Sequence, residues 1–122
     1  LFGKTSAKSI PMPKLIKRAV VIQDLINIAT YISQDNLDAG DRFLYAAEAT
    51  FQQIAKLPGI GRFSGFTHPR LTQVRQFPIK GFKNHLIYYQ VQGDIIDIMH
   101  VFQGSQNIPT ILQQELEEED SE

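Results

Sequence analysis

The chain has 122 residues, no cysteine, a hydrophobic fraction of 43% and a formal net charge of −1. That length suits one domain with one core, and the lack of cysteine excludes a disulfide framework and thiolate metal sites. No run approaches the roughly 20 apolar residues that span a bilayer, and the opening LFGKTSAKSIP is too polar for a signal-peptide core. A reducing, cytoplasmic setting is expected. Residues 1–12 are read as an extension that need not be native, with Met12 as the expected start, and residues 13–112 as the folded domain.

In chain order, Lys14 to Arg18 reads as a short extended piece. Val21, Leu25, Ile28 and Ile32 then recur at spacings of 4, 3 and 4, a stripe for a helix of about four turns. SQDN breaks it. Asp35 or Asn36 can cap a second helix, with Asp38 and Asp41 near its positive end. In that helix Leu44, Ala47, Phe51 and Ile54 form the buried stripe, and Pro58-Gly59 ends it. Two adjacent amphipathic helices with a short break predict an antiparallel hairpin.

After Gly61 the period changes. Leu71 to Phe77 is a strand candidate stopped by Pro78, and His85 to Gln92 is rich in aromatic and β-branched residues. Gly93-Asp94 is a type II′ hairpin signal. Ile95 to Phe102 alternates, placing Ile96, Ile98, His100 and Phe102 on one face. Ile108 to Leu116 reads as a last short helix. The order is strand-helix-helix-strand-strand-strand. It predicts an α+β fold, a helical hairpin packed on one face of a small antiparallel sheet, with the other face open to solvent or a partner.

Charge is unevenly spread. The last eight residues, ELEEEDSE, hold six of the thirteen acids, so residues 113–122 read as a solvated acidic tail. The remaining body carries twelve Lys and Arg against seven acids, a net of +5. Between Glu48 and Asp94 there is no acid at all, while Lys56, Arg62, Arg70, Arg75, Lys80 and Lys83 fall in that gap. Such a stretch suits a phosphate polymer or an acidic protein.

With DLINIATYI in the first helix, DAGDRF opening the second, ATFQQIAKLPGIGR at its end, and VRQFPIKGFKNHLIYYQV and IIDIMHVFQGSQNI in the sheet, the chain resembles the ParE/RelE toxins of bacterial type II toxin–antitoxin modules. DRF, LPGIGR and GFKNHLIYY resemble the ParE branch, the plasmid-stabilisation proteins, more than RelE. The resemblance implies a small toxin neutralised by a cognate antitoxin that wraps its helices and sheet, alone or as a hetero-oligomer, with a toxin homodimer as a further possibility. The ParE branch blocks DNA gyrase. The RelE branch cleaves mRNA on the ribosome. No cofactor, metal or membrane is implied.

One stretch departs from the family. Where relatives carry an arginine, a histidine and a second arginine along the last strand, this chain carries His100, Gln103 and Gln106. Metal-free RNA cleavage needs a base for the 2′-hydroxyl, cations for the phosphorane-like charge and an acid for the leaving oxygen. An amide does not titrate near neutral pH, so Gln103 cannot replace an acid–base group. If the protein is a nuclease, Arg75, His100 and Lys83 are the expected catalytic residues. Arg62, Arg75, Lys80, Lys83, His85, Tyr89 and Gln103 are the expected contacts to a partner or nucleic acid. Arg75 projects from a predicted strand and matches a common family arginine. Tyr88 and Tyr89 point to opposite strand faces, so one is core and the other is free to stack on a base. Three readings result: a gyrase inhibitor acting by contact, a ribosome-dependent endoribonuclease, and a degenerate member that folds but is not toxic.

Overall fold

The computed structural model describes residues 13–104 and 106–121, and the extension expected at residues 1–12 lies outside them. Strand β1 (Lys14–Lys17) leads into helix α1 (Ala19–Ser33) and helix α2 (Leu37–Lys56). One 3₁₀ turn (Pro58–Ile60) and the two-residue strand β2 (Arg62–Phe63) follow. Then come β3 (Arg75–Ile79), β4 (Phe82–Gln92), β5 (Ile95–Gln103) and helix α3 (Ile108–Asp120).

The helical hairpin forms as its sequence dictates. Asn36 caps α2, its Oδ1 accepting from the Ala39 N–H at 3.3 Å. Val21 and Ala29 of α1 meet Phe43, Ala47, Phe51 and Ile54 of α2 over the sheet. Phe43 takes the place expected for Leu44, which is exposed. The helices approach tightly at Gly40, where a Cβ would collide with Ser33 Oγ and lie 2.8 Å from Ala29 O.

The sheet order is β1-β5-β4-β3-β2. β1 runs parallel to β5 with Lys14 opposite Ile95, and the remaining pairs are antiparallel. The sheet is therefore mixed rather than antiparallel throughout. The β4–β5 turn has positive φ at Gly93 and at no neighbouring residue, as a type II′ turn requires.

Three strand details differ from expectation. The strand expected at 71–77 is shifted to Arg75–Ile79, because Leu71, Thr72 and Gln73 form a turn. Pro78 lies inside β3, tolerated because β2 pairs only with Arg75 and Gln76 and leaves Pro78 on an open edge. On β5 a bulge intervenes: Tyr88 faces His100 but Tyr89 faces Ile98, so Met99 is the extra residue. The bulge reverses the alternation. Ile96, Ile98 and Val101 pack under the hairpin, whereas Met99 and Phe102 pack on the opposite face.

That opposite face is not left open. Phe66, Leu71 and Val74 from the β2–β3 connection and Ile108, Leu112 and Leu116 from α3 close over Tyr88, Met99 and Phe102. The acidic segment expected to be solvated continues α3 to Asp120. Its apolar residues at 108, 111, 112 and 116 recur at helical spacing and bring the acids with them.

Candidate functional site

The LPGIGR turn is built by two residues expected to contact a ligand. Tyr89 Oη donates to Pro58 O at 2.7 Å and accepts from the Gly61 N–H at 2.9 Å. A Cβ at Gly61 would lie 2.7 Å from that hydroxyl and 2.9 Å from Gln76 O, so the position takes only glycine without rearrangement. Arg75 Nη1 donates to Gly61 O at 2.6 Å and to Gly59 O at 3.3 Å, and its guanidinium stacks 4.0 Å from the Phe63 ring centroid. Tyr89 is 0% exposed, which corrects its expected role as a contact residue. Through Nη1 alone Arg75 ties the turn's carbonyls to β3.

His100 is also placed differently from expectation. It is 3% exposed, sits beside the bulge between α1 and α3, and stacks on Phe102 at 4.2 Å between centroids. Its Nδ1 is 2.8 Å from Asp24 Oδ2 and its Nε2 is 2.6 Å from Glu115 Oε2. Asp24 Oδ2 also accepts from the Val101 N–H at 3.0 Å. Burial alone would lower the imidazole, but the hydrogen bonds and charges of Asp24 and Glu115 outweigh it and hold His100 above its ordinary value. With both ring nitrogens engaged and α3 across it, His100 cannot reach an RNA 2′-hydroxyl in this arrangement. Burial pushes the phenols of Tyr88 and Tyr89 up, away from acid–base work near neutral pH. Both tyrosines are core residues, so neither is free to stack on a base.

The exposed candidates gather around the uncovered part of the second sheet face. Arg62 and Lys83 flank a groove of about 460 Å³ with Gln76, Phe77, Pro78 and Leu86. Lys83 also lines a neighbouring groove of about 420 Å³ with Asn84, Leu86, Gln103 and Gly104. Lys80 is exposed at the β3–β4 turn. Among the described residues no acid lies within ion-pair distance of Arg62, Lys80 or Lys83. Arg70, by contrast, pairs with Asp120 at 2.9 Å and Glu119 at 3.7 Å.

His85 is half-buried against Phe43, with ring centroids 5.3 Å apart, and burial lowers its pKa below the ordinary value. Its Nδ1 is enclosed without a partner among the described residues. It borders a cavity of about 410 Å³ shared with Asp24, Asn27, Tyr31, Gln103 and Gln106. The fold thus brings together Arg62, Lys83 and Gln103, leaves Lys80 and His85 at the margins, and sets Arg75, Tyr89 and His100 apart in structural roles. Asp24 and Glu115 were missed by sequence reasoning, because their partner His100 is 76 and 15 residues away.

A helical hairpin on one face of a small mixed sheet, with α3 on the other face and a cationic groove beside it, defines a small α+β domain. Its fold is similar to that of a solved chain described as "Chromosomal ParDE TA system from P. aeruginosa", with a TM-score of 0.61 at 15% identity, covering 75% of this chain and 96% of that one. No match was found among curated protein sequences. Residues 16–108 match the family described as ParE toxin of type II toxin-antitoxin system, parDE, and the chain belongs to that family. Membership makes it a type II toxin and implies an antitoxin as its partner. Among the described residues no helix is long and apolar enough to cross a membrane.

Proposed function

We propose that the protein arrests bacterial growth by binding and inhibiting DNA gyrase, without bond-breaking chemistry of its own, from the cytoplasm and under the control of a cognate antitoxin. The observation that carries this reading is the division of labour among the polar residues. His100, Tyr88 and Tyr89 are buried in the fold, and His100 and Tyr89 are hydrogen-bonded within it. The exposed face offers fixed cations, Arg62 and Lys83, and amides, Asn84 and Gln103. Cations and amides can recognise an acidic surface, but they cannot shuttle protons. Ile22, Ile26, Tyr31, Leu37 and Tyr45 expose an apolar strip on the helices, which suits the antitoxin at rest.

The alternative is a ribosome-dependent endoribonuclease. One observation favours it: Lys83 and His85, whose Nδ1 has no partner among the described residues, border one shallow groove. Induced expression without antitoxin separates the readings. DNA breaks with intact mRNA support gyrase inhibition. New mRNA 5′ ends that vanish in His85→Ala support the nuclease. Normal growth with abundant folded protein supports a degenerate member and defeats both.

A further inference from the structure

Helix α3 lies, apart from its first residue, beyond the segment that matches the family. It crosses the second sheet face with Ile108, Leu112 and Leu116 turned inward over Tyr88, Met99 and Phe102. Glu117, Glu118, Glu119 and Asp120 are turned outward and exposed. Two polar fastenings hold it. The outer one, Arg70 to Glu119 and Asp120, is solvent-exposed and contributes little. The inner one is Glu115 on His100, and it is almost fully enclosed on the histidine side.

The inner fastening has a chemical condition. A neutral imidazole carries a single N–H. Set between Asp24 and Glu115, it can donate to one carboxylate only, and its other nitrogen then faces an oxygen lone pair across less than 3 Å. Only the imidazolium donates to both. Asp24 has a second bond, from the Val101 N–H, and sits on α1, which is anchored in the main core. Among the described residues the Glu115 carboxylate has no other hydrogen bond, and it sits on α3. When the proton leaves, the Glu115 side is the one that gives way.

We propose that α3 is a detachable strap over the second sheet face, closed while His100 is protonated and loosened when it is not. The groups around His100 are consistent in sign. Asp24 faces it from α1 and Glu115 from α3, Tyr88 is its cross-strand partner on β4, and Phe102 stacks on it within β5. Arg18, just after β1, is held by Asp97 at 2.8 Å and also attracts Glu115 and Glu119. That attraction does not change near neutrality, so His100 supplies the pH-dependent part. Because its folded pKa is raised, its contribution is complete below the ordinary histidine value and is lost as pH rises through the raised one. Opening the strap would uncover the apolar floor of Tyr88, Met99 and Phe102 beside the cationic groove.

The test uses the full chain and does not depend on toxicity. Hydrogen exchange of α3 amides is followed from pH 6 to pH 9, corrected for intrinsic rates and referenced to α2. The expected result is a fall in α3 protection of roughly tenfold or more relative to α2, the size of one charge-assisted hydrogen bond. In Glu115→Gln that pH step disappears, and His100 titrates closer to its ordinary value by NMR. Glu115 lies on the strap itself, so this variant leaves the main core intact. Unchanged α3 protection across the range, or the same pH step in Glu115→Gln, would overturn the proposal.

Discussion

Replacing Tyr89 by Phe removes one hydroxyl and nothing else, yet that oxygen joins two backbone groups of the LPGIGR turn to the sheet. It donates to Pro58 O at 2.7 Å and accepts from the Gly61 N–H at 2.9 Å inside a fully buried site. Losing the bond to Pro58 O costs about 1 kcal/mol, and leaving the Gly61 N–H without an acceptor costs about 1–2 kcal/mol more. The sum, about 2–3 kcal/mol, corresponds to a fall in Tm of roughly 10 °C for a domain of this size. Tyr88→Phe is the control. Tyr88 is equally a core residue, but among the described residues its hydroxyl has no hydrogen-bond partner to leave unsatisfied, so its loss should cost less than about 1 kcal/mol. Urea unfolding followed by far-UV circular dichroism measures both. Equal stability of Tyr89→Phe and wild type would refute the claim that this hydroxyl holds the turn.

Gly61→Ala should destabilise by about 1–3 kcal/mol through overpacking against Tyr89 and Gln76, read by the same unfolding assay. Lys83→Glu combined with Arg62→Glu should leave stability within about 1 kcal/mol, because both side chains are exposed. The same pair should weaken binding to an acidic partner at least tenfold, measured by calorimetry with purified gyrase or antitoxin. The two histidines should titrate in opposite directions in a two-dimensional NMR pH series. His85 should lose its proton below 6.5 because it is desolvated, and His100 above it because of its carboxylates. Stability should therefore fall on acidification through His85, which is held neutral, and fall on alkalisation through His100, which is held charged.

Local periodicity made much of the fold legible. The 4-3-4 apolar spacing from Val21 gave α1, Asn36 the start of α2, and Gly93-Asp94 the β4–β5 turn. What stayed hidden depends on contacts distant in sequence. Nothing local announces that β1 pairs in parallel with β5, about eighty residues away. The bulge at Met99 leaves no mark in an alternating sequence, yet it moves His100 from one environment to another. The acidic run read as a tail rather than as helix because charge count outweighed the apolar residues that carry it in α3. At the candidate site, the exposed cations Arg62, Lys80 and Lys83 were legible from the missing acids. The commitment of Arg75 and Tyr89 to carbonyls 14 to 31 residues distant was not, because a side-chain bond to a loop backbone has no sequence period.

The most direct measurement is a supercoiling assay with purified gyrase and the purified chain, run beside a translating extract in which mRNA integrity is followed. The proposed function requires dose-dependent loss of supercoiling or accumulation of cleaved DNA. It also requires intact mRNA, and the gyrase effect should be reversed by charge inversion at Arg62 and Lys83. Undiminished supercoiling together with cut mRNA would contradict it and move the search for chemistry to His85 and Lys83.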